Sequence, residues 1–237
     1  MIWGLRICFS LLCAASLSAA TLNGRVELRD SKEAAVRKKK DFSGVVIWLE
    51  PLNGKPLQQP TVRARMTQKD KTFSPHMLAV PTGAVVDFPN FDPIFHNVFS
   101  TYDGQPFDLA LYPPRTSKSV KFTQPGIVRV FCNIHSTMSA VIAVLDTPYF
   151  DVSKREGTFE LRDVPAGDYR LHLFHERATQ ATLDELGRRL TVDGDQQDIA
   201  PIAISESGYL PIPHLNKFGR PYPQPPDDGG VYPGVRK

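Results

Sequence analysis

Along most of the chain, apolar and polar residues alternate in short runs broken by proline, glycine and asparagine, which predicts β-strands joined by tight turns. "GRVEL" and "GVVIWLE" start the series, one alternating and one continuously apolar. "HMLAV", "AVVDF", "HNVFS", "SVKF", "IVRVF" and "AVIAVL" follow, with "PTG", "PNFDP", "YDGQP" and "TQPG" as turn material between them. After Thr147 and Pro148 the rhythm resumes in "GTFELRDVPAGDYRLHLF", "RRLTV" and "IAPIAIS". Only "ATLDELGRR" has helical spacing, for about two turns. The pattern predicts an all-β protein built of sandwiches. From Gly208 onward proline, glycine and tyrosine dominate, and the expectation is an extended tail with little core of its own.

A length of 237 residues allows one large or two small domains. The net charge of +3 is small, and the Arg37–Lys40 run has no interleaved aromatics, so it reads as a solvated loop and not as a nucleic-acid arm. Residues 1–20 have the form of an export signal: Arg6, the apolar run "ICFSLLCAASL", then small residues up to a cleavage point near Ala20. That run is too short to span a bilayer, so a periplasmic or secreted chain without an integral membrane segment is expected. Cleavage would remove Cys8 and Cys13 and leave Cys132 as the one cysteine of the mature chain. A lone exported cysteine is buried and inert, paired between chains, or held by a metal. The chain has no glycine-rich phosphate loop, nucleophile elbow or His-Glu-x-x-His, and Asp184–Glu185 reads as a charged helix face, so no enzyme activity is expected.

The run "FCNIHSTM" sets Cys132, His135 and Met138 at three-residue intervals between two apolar strands. A mononuclear copper electron-transfer site needs two imidazoles and a thiolate around the metal, with a weak thioether on the axis. The loop carries three such groups, and His96, 36 residues earlier after a turn-rich stretch, offers the second imidazole. Taken singly, each of these residues fits core packing or a polar surface; together, with this spacing, they point to one metal ion. A thioether contributes little to zinc, which favours copper. For His76 three roles stay open: a surface residue, a support for the site, or an extra ligand. His172 and His175 point to opposite faces of a strand, and His214 in the tail is expected to be solvent-exposed.

The stretch "EGTFELRDVPAGDYRLHLFHE" resembles the second half of transthyretin-like or carboxypeptidase regulatory-like sandwiches, and "LNGRVELRDSKEAAVRKKKDFSGVVIWLEP" their first half. Residues 61–146 resemble the cupredoxins, the plastocyanin-like and amicyanin-like blue copper proteins, through "KTFSPHMLAVPTGAVVDFPN", "HNVFS" and "PGIVRVFCNIHSTM". The whole chain is similar to exported proteins labelled methylamine utilization proteins. The resemblance implies a cupredoxin Greek-key β-sandwich (61–146) inserted in a second, transthyretin-like one (21–60 and 147–206), with a tail at 207–237. Two domains in series are the alternative. It further implies His96, Cys132 and His135 as strong ligands of one copper ion cycling between Cu(I) and Cu(II), with Met138 axial. Asn97 would steady the thiolate, and Phe73, Phe88, Phe131 and Phe95 would form the apolar shell. The chain departs from short-loop relatives in having Ile134 and Ser136, not prolines, around the loop histidine. The expected function is one-electron carriage to or from a redox protein such as a c-type cytochrome or a periplasmic dehydrogenase. A copper-holding, copper-sensing or assembly scaffold is the alternative.

Overall fold

The computed structural model describes residues 19–53, 57, 59–101, 104–211 and 213–222. Of the expected export signal, residues 1–20, the first eighteen lie outside the described ones, while Ala19 and Ala20 pair with Pro165 and Val164 in the first strand. Among the described residues no helix is long and apolar enough to cross a membrane.

In chain order the first elements are β1 (Ala19–Arg29), α1 (Ala34–Lys39) and β2 (Val46–Pro51). Ten strands follow: β3 (Arg63–Arg65), β4 (Thr67–Lys69), β5 (Thr72–Ser74), β6 (Met77–Pro81), β7 (Val85–Pro89), β8 (His96–Ser100), β9 (Phe107–Tyr112), β10 (Ser117–Lys121), β11 (Gly126–Phe131) and β12 (Ser139–Leu145). The chain then adds β13 (Phe150–Val152), β14 (Thr158–Pro165), β15 (Gly167–Phe174), α2 (Gln180–Leu186), β16 (Arg188–Val192), β17 (Gln196–Asp198) and β18 (Ile202–Ser205).

Two sheets form an outer sandwich. In one, β1 lies between β14 and the short strands β17 and β18; the other has the order β13-β2-β15-β16. Each combines strands from both sides of residues 63–145, because β1 pairs with β14 and β2 with β13 and β15. Leu22, Val26 and Leu28 of β1 and Leu161 of β14 share its core with Ile47, Leu49 and Leu171 of the other sheet. The intervening residues make a second sandwich, with sheets β10-β7-β3 and β6-β12-β11-β8-β9 and a separate β4-β5 hairpin. Its core gathers Phe73, Val86, Phe88, Val98, Phe122, Val128, Val130 and Ile142.

The continuous apolar runs now have a cause. Along β12, Ala140, Ile142 and Val144 enter the second core, while Val141, Ala143 and Leu145 meet Val46 and Met77 in a third cluster. Trp48, Phe150 and Phe174 pack against that cluster. Strands β2 and β12 are covered on both faces, so both faces are apolar, and each buried valine or leucine contributes about 1.5–3 kcal/mol.

The basic run expected to be a loop forms α1, where Arg37, Lys38 and Lys39 stay solvated and Val36 is buried. Six residues with one buried side chain leave no apolar period to read. His76 belongs to the seam between the sandwiches and not to a metal site: Nε2 lies 2.9 Å from both Glu176 carboxylate oxygens, and Nδ1 is 3.1 Å from the Ser139 carbonyl oxygen. Both nitrogens face acceptors, so the imidazolium alone satisfies both, and the Glu176 hydrogen bond raises the His76 pKa above its usual 6.5. A raised folded pKa means stabilisation that is complete below 6.5 and fades as pH climbs through the raised value. His76→Ala is therefore expected to cost about 0–1 kcal/mol of stability for so exposed a pair, and to lower the melting temperature more at acid than at alkaline pH. Melts with equal losses at both ends of the range would remove this role.

Candidate metal centre

Antiparallel pairing explains how His96 meets Cys132. Phe131 at the end of β11 pairs with Phe99, so the start of β8 lies beside the residues that follow β11. Phe131 also pairs with Ser139 on β12, which places the Cys132–Met138 loop at the same end of the sandwich. Two bonds close the loop: the Cys132 N–H donates to the Met138 carbonyl and the Met138 N–H to the His135 carbonyl, each at 3.1 Å.

The donor atoms converge. Cys132 Sγ lies 3.8 Å from His96 Nδ1 and 3.6 Å from His135 Nδ1, and the three residues offer ligand atoms all within 4.8 Å of one another. Bonds of about 2.0 Å to imidazole nitrogen and 2.3 Å to thiolate, opened at roughly 110–120°, place N and S ~3.5–3.7 Å apart. The spacing therefore fits one transition-metal ion. His96 and Cys132 are fully buried and His135 half-buried.

Asp92 is the residue that sequence reasoning missed. Its Oδ2 accepts from His96 Nε2 at 2.6 Å, and its two oxygens also accept the backbone N–H groups of Asp70 and Lys71. The first bond pins the ring with Nδ1 turned to the sulfur, an arrangement typical of metal-binding histidines. Asp92 is held by the "PNFDP" turn, where its N–H donates to Asn90 Oδ1 and Asn90 Nδ2 donates to the Ile94 carbonyl. An acid four residues before a candidate ligand, inside a turn, was the available signal.

Burial sets the protonation states. It pushes the Cys132 thiol up, against the backbone N–H groups of Asn97, Ile134 and His135 that face the sulfur. It pushes His96 down, with Asp92 opposing, and takes His135 down to about 4, helped by His96 and Lys71. For Asp92, burial acts upward, but the hydrogen bonds from Lys71, His96 and Asp70 outweigh it and hold the carboxyl below its usual range. Around neutral pH the imidazoles are bare and the thiol keeps its proton.

The other expected residues divide. Met138 and Phe73 are buried in the same core as Cys132, and so is Phe88. Asn97 turns its backbone toward the sulfur but its side-chain amide toward Asp108, at 2.7 Å. Phe131 lies outside the core that holds Cys132: its ring stacks on His214 and tilts against Phe99, with centroids at 4.1 and 5.9 Å. Phe95 is no shell residue either, being 54% exposed. His172 pairs with Glu50 and buried His175 with Glu206, and neither belongs to the metal group.

No family model matches the chain, and no curated protein matches it. Solved structures with a likeness include a copper-containing nitrite reductase from Thermus scotoductus SA-01 (24% identity, 40% of this chain, 25% of that one, TM-score 0.33). Others are a purple cupredoxin from Nitrosopumilus maritimus (20% identity, 35% and 99%, TM-score 0.32) and amicyanin from Paracoccus versutus (16% identity, 41% and 97%, TM-score 0.33). The match spans a quarter of the nitrite reductase and nearly all of the two small proteins. The metal reading rests on the donor spacing itself.

Proposed function

We propose that this chain is an exported copper protein that carries one electron at a time and catalyses no reaction of its own. The observation that carries this reading is the convergence of one thiol sulfur and two imidazole Nδ1 atoms, at 3.6 and 3.8 Å from the sulfur. Copper bound there would supply a Cu(II)/Cu(I) couple. Met138, fully buried in the same core and tied by its backbone to Cys132 and His135, would add its thioether as a weak further donor. Because sheet pairing and Asp92 already hold the three donors, little needs to move between oxidation states. His135 provides the route to the surface, and exposed Phe91, Phe95 and Ile134 supply apolar contact for a redox protein such as a c-type cytochrome or a periplasmic dehydrogenase.

The test is to add Cu(II) to the purified chain and record visible absorption, EPR and voltammetry, alongside Met138→Ala. An intense thiolate-to-copper band, kept in Met138→Ala but with a shifted potential, is the expected result. A colourless, loosely held ion would remove the electron-carrier reading and favour a copper-holding scaffold.

A further inference from the structure

The described end of the tail is not free in solvent. Glu206 anchors its beginning, accepting from His175 at 2.9 Å and from Ser31 at 2.6 Å, with Arg177 beside it. Residues 213–222 then lie along the metal-ligand loop. His214 Nε2 donates to the Ser136 carbonyl at 2.8 Å while its ring stacks on Phe131. The Lys217 N–H donates to Asn133 Oδ1 at 3.0 Å, and the Tyr222 hydroxyl donates to the Cys132 carbonyl at 2.8 Å. Tyr222 also lies 3.2 Å from His214 Nδ1. Lys217 Nζ binds Asp108 at 2.7 Å, and Asp108 accepts from Asn97, whose backbone N–H faces the sulfur. Between these contacts the tail holds its own turn: Asn216 Oδ1 accepts from the N–H groups of Phe218 and Arg220, and Gly219 adopts φ +71°.

The loop itself is weakly determined. It has no proline between Cys132 and Met138 and closes on two backbone bonds. The tail adds three hydrogen bonds, at residues 132, 133 and 136. We propose that residues 213–222 are a strap that holds the Cys132–Met138 loop in its metal-holding shape, with Tyr222 and His214 as positioning residues; this rests on the metal reading above. Tyr222 acts through the Cys132 carbonyl, drawing electron density from the residue that bears the sulfur and covering that side of the loop. Through Glu206 the strap also makes the outer sandwich part of the frame of the metal site.

The test compares the full chain, Tyr222→Phe and a chain ended after Pro211, each without metal and with copper. Without metal, hydrogen exchange at the Ile134, His135 and Met138 amides rises on the order of tenfold in the shortened chain, while β12 amides are unchanged. With copper, Tyr222→Phe lowers the reduction potential by up to a tenfold change in the Cu(II)/Cu(I) ratio, ~59 mV for one electron. Unchanged loop exchange in the shortened chain overturns the strap. An unmoved potential in Tyr222→Phe overturns its positioning role. A wild-type chain without a thiolate–copper band overturns the function proposed above instead, and the exchange measurements on metal-free protein still decide the strap.

Discussion

Cys132→Ser is expected to fold, to lose all thiolate-to-copper absorption, and to lose the pH dependence of copper binding near neutrality. The sulfur is fully buried, and the N–H groups of Asn97, Ile134 and His135 face it, so a serine oxygen finds donors in place. The stability cost is about 1 kcal/mol, the scale of one buried hydrogen-bonding group. The larger effect is on binding. His135, held down to about 4, and His96, also lowered, carry no proton to displace near neutral pH. The thiol, raised by burial, carries one. Each copper bound therefore releases about one proton, and affinity rises roughly tenfold per pH unit below the thiol pKa. Competition titrations at several pH values read this slope; in Cys132→Ser it falls to near zero. A flat profile for the unmodified chain would mean that the thiol is already ionised. The same shift governs the metal-free protein: because burial lowers the His135 pKa, the unfolded chain binds a proton that the folded one refuses, so stability falls as pH drops from 6.5 to about 4.

Asp92→Asn has the second large effect, although the side chain keeps its size. Asp92 is 2% exposed, and all its partners are donors: His96 Nε2–H and the N–H groups of Asp70 and Lys71. An asparagine amide nitrogen must set a donor against one of them. Loss of a charge-assisted buried bond costs about 1.5–3 kcal/mol, and removal of a partner behind a metal-binding histidine typically costs 10–100-fold in affinity. Both are expected: urea unfolding of the metal-free chain at a lower midpoint, and weaker retention of copper against a chelator. Unaltered retention would show that sheet pairing alone orients His96. Because the folded carboxyl lies below its usual 3.8, its contribution is present above that value and is lost in stronger acid.

How much of this was legible depends on how local each feature is. The strand alternation of "SVKF" or "GRVEL" is a property of neighbours in sequence, and β10 and β1 run where it predicts. The α2 helix likewise follows "ATLDEL", with Thr179 accepting from the Thr182 N–H at its start. In contrast, β9 carries exposed residues on both faces, and β3 and β17 are three residues long, so no periodicity marks them. For the metal group, Cys132, His135 and Met138 were readable as one loop, whereas His96 entered only through the chemistry that a thiolate and one imidazole leave incomplete.

By itself the sequence determined an all-β chain and a set of metal-binding residue types at workable spacing, because side-chain period and loop length are local quantities. Only the tertiary structure decided which face each residue takes and what it meets across the sheets. Neighbouring Phe131 and Cys132 part to opposite sides because strand residues alternate and register fixes which side is core. His76 went to Glu176, Asp92 to His96, and the tail to the ligand loop, contacts that span 100, 4 and 90 residues respectively. Even the shortest of these required the β4–β5 turn, held by the same carboxylate, to bury the pair. Such contacts form only after packing has brought the segments together, and of the three only the Asp92–His96 pair leaves a trace in local spacing.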